Sequence, residues 1–402
     1  MDILKLLLIF TCIVAIMKAN KPLYLSIMTG IIGTIILYKI NLFQGAKLVI
    51  NGAISRQTID LVLAFYFITF LQRMMEKRGH LMLAEKSLSN LFNSRRVNAM
   101  AAPFIIGLLP SAGAVLIASP IVDNAGGDYI SKEEKTFITS YFRHISESFL
   151  PTYSSILLAI NLANVDMTAF VLGMLPMVVV LFLLGYFFYV RRIPKETGLE
   201  RSNDKMKDIK NLIIALWPIA LTITIILTLR IAVHLAVIPV IILSFILNKF
   251  NFKEIKPMFI SAIESKLIVT TIVIMSFKEV LTFTGVIERL PDYFKILPIS
   301  SVVIFSLIFF FGTLVAGSQA MISLALPLAY ATIPNGGLSL MILLMCITYI
   351  AMQVSPTHIC LAIVTEHYGT SFINLVKKTI PILISFVIIS SLYSYMIYLL
   401  QI

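Results

Sequence analysis

Four short stretches carry residue types that could hold a solute or an ion. Ser111-Ala112-Gly113 and Gly317-Ser318-Gln319 each separate two short apolar pieces. Leu150-Pro151-Thr152-Tyr153-Ser154-Ser155 and Ser355-Pro356-Thr357-His358 each interrupt a long apolar segment with a proline. Small residues let backbone N–H groups approach a ligand, and hydroxyl and amide side chains add contacts. These tips read either as plain turns between helices or as ligand-binding turns. A proline removes a donor and opens a helix turn. The hydroxyls that follow either bond the freed carbonyls or coordinate a ligand or ion. His358 is the one titratable group at a break, either a proton carrier or a packed neutral imidazole. Arg143 and Glu147, before the first break and next to His144, stand i, i+4 and can pair on one helix face. The pair either locks the helix or leaves Arg143 as an anchor for an anion. Asp60, Asp123, Lys278, Glu279, Glu366 and His367 read as helix-end or interface groups.

The elements that must position these residues are membrane helices. Of 402 residues, 59% are apolar and 13% charged, and the mean hydropathy is +0.95. A soluble domain is about 45–50% apolar and about 25% charged, so a soluble enzyme or a nucleic-acid binder is excluded. No H-E-x-x-H, Gly-x-Ser-x-Gly or Walker motif occurs, so no catalytic residue is assigned. The net charge of +12 sits in short gaps between apolar runs and reads as topology determinants facing cytoplasm and anionic lipid. Cys12, Cys346 and Cys360 lie inside apolar runs with no metal-ligand spacing and no disulfide framework. The N-terminal run lacks a basic n-region and a small-residue cleavage site and is expected to be a retained span.

Measured against the roughly 20 apolar residues a crossing needs, residues 3–18, 22–42 and 57–75 read as spans. A basic amphipathic stretch, 73–96, follows. A re-entrant hairpin is expected over 97–126, a broken helix over 135–163 with its break at Pro151, and a span over 166–190. Residues 191–210 carry seven basic side chains and form a cytoplasmic linker. The order then repeats: spans at 212–230, 231–249 and 264–284, a hairpin over 298–333, a broken helix over 338–366 with its break at Pro356, and a span at 372–400. Gly79 and Gly285, Ser111 and Ser318, and Pro151 and Pro356 recur at offsets of 205 to 207 residues. The expected architecture is all-α: a first repeat over 1–190 and a second over 211–402, each with five crossings, one hairpin and one broken helix. Five is odd, so the second repeat is inverted. With the linker inside, the inside loops hold 23 of the 32 basic residues, which satisfies the positive-inside rule. Both termini then lie outside.

Inverted repeats with broken helices mark secondary transporters. Irregular backbone survives at membrane depth only where it is buried or lines a cavity, and freed helix N-termini suit an anion. The expected function is transport of a small anionic organic solute driven by Na⁺ or H⁺, with a Na⁺ position near Ser111 and Ser318. The substrate site is expected at Ser111, Ala112, Gly113, Thr152, Tyr153, Ser154, Gly317, Ser318, Gln319, Thr357 and His358. Arg143, Glu147, Pro151 and Pro356 support it. A cation/proton antiporter is the first rival and a membrane-embedded enzyme the second.

Gly107-Leu108-Leu109-Pro110-Ser111-Ala112-Gly113-Ala114 with Ala118-Ser119-Pro120, Tyr141-Phe142-Arg143-His144-Ile145 with Leu150-Pro151, and Ser355-Pro356-Thr357-His358-Ile359-Cys360-Leu361 resemble the integral membrane family called domain of unknown function 401. That family is similar to the ion transporter superfamily, which holds gluconate permeases, dicarboxylate and citrate transporters, arsenite pumps and sodium/proton antiporters. The resemblance implies a homodimeric elevator in the plasma or inner membrane, with Ser111, Ser318 and the breaks Pro151-Thr152 and Pro356-Thr357 as the site. Carboxylate transporters of that superfamily carry a Ser-Asn-Thr tip. Neither tip here does, so dicarboxylate specificity and sodium coupling do not carry over.

Ser202→Cys and Ile402→Cys, made singly in a background lacking Cys12, Cys346 and Cys360, are expected to react with an impermeant thiol reagent from opposite sides of the membrane. Labelling of both from the outside would contradict the inverted scheme.

Overall fold

The computed structural model describes residues 2–19, 21–91, 94–108, 114–196, 204–286, 289, 298–356 and 358–400. Among them, every element of regular structure is helical. Four helices are long and apolar enough to cross a bilayer alone: α4 (Arg56–Lys77), α10 (Met167–Phe188), α11 (Lys205–Leu229) and α19 (Phe372–Leu400). A fifth span forms if α13 (Phe252–Ser261) and α14 (Ser265–Phe283), bent by 46°, count as one. Helices α1 (Asp2–Lys18), α2 (Leu23–Leu37) and α12 (Val233–Leu247) are apolar but have only 15 to 17 residues. At 1.5 Å per residue, 15 residues cover about 22 Å, less than the roughly 30 Å of hydrocarbon. The chain is a polytopic membrane protein built from long, short and interrupted helices.

The expected span 22–42 is shorter than the sequence suggested. Helix α2 stops at Leu37, Lys39 turns left-handed with φ 54°, and the Asn41 side chain accepts from the Phe43 N–H to start α3 (Leu42–Ile54). The same happens after α12. Lys249 is left-handed with φ 49°, and an Asn251–Glu254 capping box starts α13. A cap that satisfies the first amides lets a new helix begin at an angle. Left-handed residues recur at Gly79 and Gly285 and at Asn164 and Gly369.

Helices α6 (Arg95–Ile106) and α7 (Ala114–Gly126) pack on each other and on α8 (Lys132–Ile145). Helices α15 (Ser301–Ala316) and α16 (Ser318–Thr332) form the second close pair. α15 rests on α17 (Gly337–Met352), and α16 rests on α9 (Ser154–Ala163). Helix α18 (Ile359–Tyr368) packs on α7 and α8. The interrupted helices are the centre of the bundle. Residues 136–146 of the first are all buried, as are residues 339–353 of the second. Helix α17 is apolar nearly all round, as a fully buried helix should be. Helix α8 buries Thr136, Thr139, Ser140, Arg143 and His144 in the same core, and buried polar groups are the informative exceptions.

Helix α8 starts in a capping box in which Glu134 and Ser131 bond each other's backbone N–H. Glu134, ahead of the apolar part of the segment, also accepts from Arg192 at 2.8 Å and from Lys378 on α19 at 3.2 Å. Burial pushes this carboxyl up. Hydrogen bonds from the Ser131 N–H, Lys378 and Arg192 outweigh that and hold it below the ordinary carboxylate value.

Gly52 lets α3 touch α14 backbone to backbone. A Cβ there would lie 2.6 Å from Ser276 Cα and 2.9 Å from the Met275 carbonyl oxygen. Backbone atoms cannot step aside, so Gly52→Ala is expected to cost about 1–3 kcal/mol through overpacking. At Gly33 the nearest atom is Ile9 Cγ1 at 3.7 Å, and Gly33→Ala should be neutral or stabilise by up to about 1 kcal/mol from helix propensity. Thermal unfolding in detergent checks both. Equal melting temperatures for the two variants would refute the contact.

Candidate functional site

The first break follows from its residues. Helix α8 ends at Ile145 and tightens to one 3₁₀ turn, Ser146–Ser148. Pro151 supplies no N–H, and α9 restarts at Ser154 with Tyr153 as its N-cap. Ser146 Oγ lies 2.6 Å from the Gly107 carbonyl and 2.9 Å from that of Arg143. The Tyr153 hydroxyl also donates to the Gly107 carbonyl. Gly107 is required for this approach, because a Cβ there would collide with the Arg143 carbonyl oxygen. The end of α6 is thus clamped to the end of α8. At the second break, α17 ends at Met352, and Ser355 Oγ donates to the Leu314 carbonyl at 3.0 Å. Leu314 stands 207 residues after Gly107, so a carbonyl near the end of each hairpin's first helix receives a hydroxyl from a break.

Arg143 is 1% exposed and pairs through Nη1 with Glu147. Its neighbour His144 is fully buried. His144 Nδ1 lies 2.6 Å from the Ser140 carbonyl oxygen. A carbonyl only accepts, so Nδ1 is assigned the proton and a neutral His144 presents its Nε2 lone pair. That Nε2 lies 2.9 Å from Nε2 of His358, the N-cap of α18. His144 and His358, 214 residues apart in sequence and each beside a break, meet ring to ring.

A cavity of about 220 Å³ opens beside His358. It is lined by Thr313, Gly317, Ser318, Gln319 and Ser355, with Leu23 of α2 across from them. Thr313 Oγ1 and Gln319 Nε2 are buried and make no hydrogen bond to a described residue, and neither do Gln353 Nε2 and Tyr349 OH nearby in sequence. Gly317, with φ 83°, is the N-cap of α16. The left-handed region suits glycine. The first amides of α16 have no intrahelical acceptor and border the cavity. A larger cavity, about 570 Å³, lies between α1 and the α15–α16 pair. Its lining of side chains such as Phe10, Phe305 and Met321 offers no polar partner.

The expected site residues divide. Gly317, Ser318, Gln319 and His358 share the polar cavity. The expected three-residue turn 317–319 is Gly317 alone, because α16 already begins at Ser318. Thr152 is buried with its hydroxyl unpartnered, but it faces a narrow crevice of about 20 Å³ beside Leu108 and Thr222, away from that cavity. Tyr153 is committed to Gly107, and Ser154 is half-buried at the start of α9. Pro151 is buried and Pro356 exposed. Ser111, Ala112, Gly113 and Thr357 lie outside the described residues. Asp123 pairs with Lys135 at 3.7 Å, Asp60 lies 3.9 Å from both Arg56 and His234, and Lys278 reaches Gln57. Thr313 and the His144–His358 contact were not anticipated. Thr313 sits one turn before Gly317, whose N–H bonds its carbonyl at 3.0 Å, and this spacing is the signal that would have found it.

The family described as "Protein of unknown function (DUF401)" matches residues 3–399, and the chain belongs to it. No curated protein matches the chain closely enough to show kinship.

Removing one partner of a buried ion pair costs about 3–5 kcal/mol, and removing both charges returns much of it. Arg143→Gln is therefore expected to lower the melting temperature strongly, and Arg143→Gln with Glu147→Gln to recover it together with ligand binding. A stable double variant that binds no ligand would assign Arg143 to the ligand instead.

Proposed function

We propose that the chain is a secondary active transporter of a small anionic organic solute, coupled to Na⁺ or H⁺. The observation that carries the reading is the polar cavity at the Gly317 tip and the second break. Ser318, His358 and the open N-terminus of α16 border it, and the lining residues Thr313 and Gln319 carry buried polar atoms with no partner among the described residues. Buried donors are normally satisfied, and donors plus a helix N-terminus suit a carboxylate or similar anion. The proposal includes two inverted repeats. Three pairs of left-handed residues (39 and 249, 79 and 285, 164 and 369), the paired Gly107 and Leu314 acceptors and the two capped restarts at Asn41 and Asn251 all support it. It also includes an elevator motion in a homodimer of the plasma or inner membrane. The apolar cavity between α1 and the α15–α16 pair supports a sliding hairpin, since that surface holds no polar contact to break. A cation/proton antiporter is the second reading, favoured by the contact of the buried His144 imidazole with the half-buried His358.

The test is uptake into proteoliposomes, using labelled monocarboxylates, dicarboxylates and sugar acids under imposed Na⁺ and H⁺ gradients. Ser318→Phe fills the cavity and is expected to abolish uptake while leaving the melting temperature within a few degrees of wild type. Wild-type uptake by Ser318→Phe would remove the cavity from the pathway. Gradient-driven cation flux with no solute dependence would favour the antiporter.

A further inference from the structure

We propose that His144, His358 and Cys360 form a site for one soft-to-borderline transition-metal ion, of the class of Zn²⁺ or Cu⁺, where the two helix breaks meet. Each side chain offers one ligand atom, and these atoms all lie within 4.8 Å of one another. An ion bound at about 2.0–2.1 Å to nitrogen and about 2.3 Å to sulfur, with near-tetrahedral angles, places its ligands roughly 3.3–3.5 Å apart. The two Nε2 atoms, 2.9 Å apart, must open by about 0.4 Å, and the thiol must close by little more than about 1 Å. Two imidazoles and a thiol are nitrogen and sulfur donors. Such a set selects Zn²⁺ or Cu⁺ over Na⁺, Mg²⁺ or Ca²⁺, which take oxygen.

The surroundings of His144 carry the inference further than ligand spacing alone. Its Nδ1–H is held by the Ser140 carbonyl at 2.6 Å. A ligating histidine normally donates its other ring N–H to a carbonyl or carboxylate, which fixes the tautomer and aims the free nitrogen. The aimed nitrogen here faces His358. The arrangement comes from two rigid pieces, because His144 lies in the last turn of α8 while His358 and Cys360 begin α18. Charge also fits. Arg143 and Glu147 cancel each other, and a Cys360 thiolate removes one charge from the ion. Cu⁺ then leaves the site neutral. Zn²⁺ leaves one positive charge and an open fourth position. His358 lines the 220 Å³ cavity, so an anion or water can complete that position. The ion would tie the two breaks together whatever solute the cavity takes, so the site stands apart from the transport reading.

The experiment is titration of the purified full-length chain, stripped by a chelator, with Co²⁺ as the spectroscopic probe and with Zn²⁺ and Cu⁺ in competition. One Co²⁺ per chain is expected, with a thiolate-to-cobalt charge-transfer band and intense four-coordinate d–d bands, displaced by Zn²⁺ or Cu⁺. Cys360→Ser should remove the charge-transfer band, and Cys12→Ser should leave the spectrum unchanged. His144→Gln and His358→Gln should each weaken binding at least ~10-fold. If His144→Gln fails to fold, His358→Gln at the cavity wall decides. Absence of stoichiometric binding of all three ions, or binding indifferent to Cys360→Ser and His358→Gln, would overturn the proposal.

Discussion

The charge of Arg143 has to be buried, and the centre of the molecule is arranged around that constraint. A guanidinium at 1% exposure is expensive in any low-dielectric surrounding and more so within a bilayer. Glu147, four residues on and within the 3₁₀ turn 146–148 that follows α8, meets the charge through Nη1. The chain then cannot run on as a regular helix, since Pro151 removes the next donor. The freed groups turn outward. Ser146 and Tyr153 converge on the Gly107 carbonyl, seating the end of α6 against α8. His144, next along the helix from Arg143, meets His358 in the last turn before the interruption. The ion pair, the seat of α6 and the meeting of the two breaks thus all lie within residues 143–153 of one interrupted helix.

The two halves use their polar groups differently. Around the first break, Arg143 pairs with Glu147, Ser146 and Tyr153 bond the Gly107 carbonyl, and His144 bonds the Ser140 carbonyl, while the Thr152 hydroxyl has no partner among the described residues. In the second, Thr313, Gln319, Gln353 and Tyr349 are buried with polar atoms unpartnered. The core of α17 is nearly all apolar, so it offers those atoms little.

Much of this was legible in the chain. Apolar run length located the helices, and Pro151 and Pro356 located the interruptions, because both signals are local. The Gly317 tip was legible for the same reason: small residues between two short apolar runs mark a turn. Helices α3 and α13 were missed because they are short, amphipathic and begin by a change of direction set by Asn41 and Asn251, not by a fall in hydropathy. Thr152 was legible as a polar residue at a break, but which way it faces depends on the packing of Leu108 and Thr222 against it. The His144–His358 contact and the position of Cys360 beside it depend on a fold that brings together segments 214 residues apart. No spacing rule within a single segment could reveal it.

The unpartnered groups around Gly317 also constrain what the second half can be. A buried donor without an acceptor costs about 1–3 kcal/mol. Thr313 and Gln319 lie within one turn of the same glycine, and the first amides of α16 add further donors. An apolar replacement at these positions would relieve the cost if packing were all that mattered. A short helix ending inside protein also needs partners for its terminal groups, since lipid supplies none. The first amides of α16 border the 220 Å³ cavity, where water or a ligand can reach them. A ligand richer in acceptors than water gains most, because every group that faces it donates or can donate. This favours a carboxylate-like occupant over a cation at the tip. A cation would need the oxygens of Thr313, Ser318 and Gln319, and it would have to work against the positive end of α16.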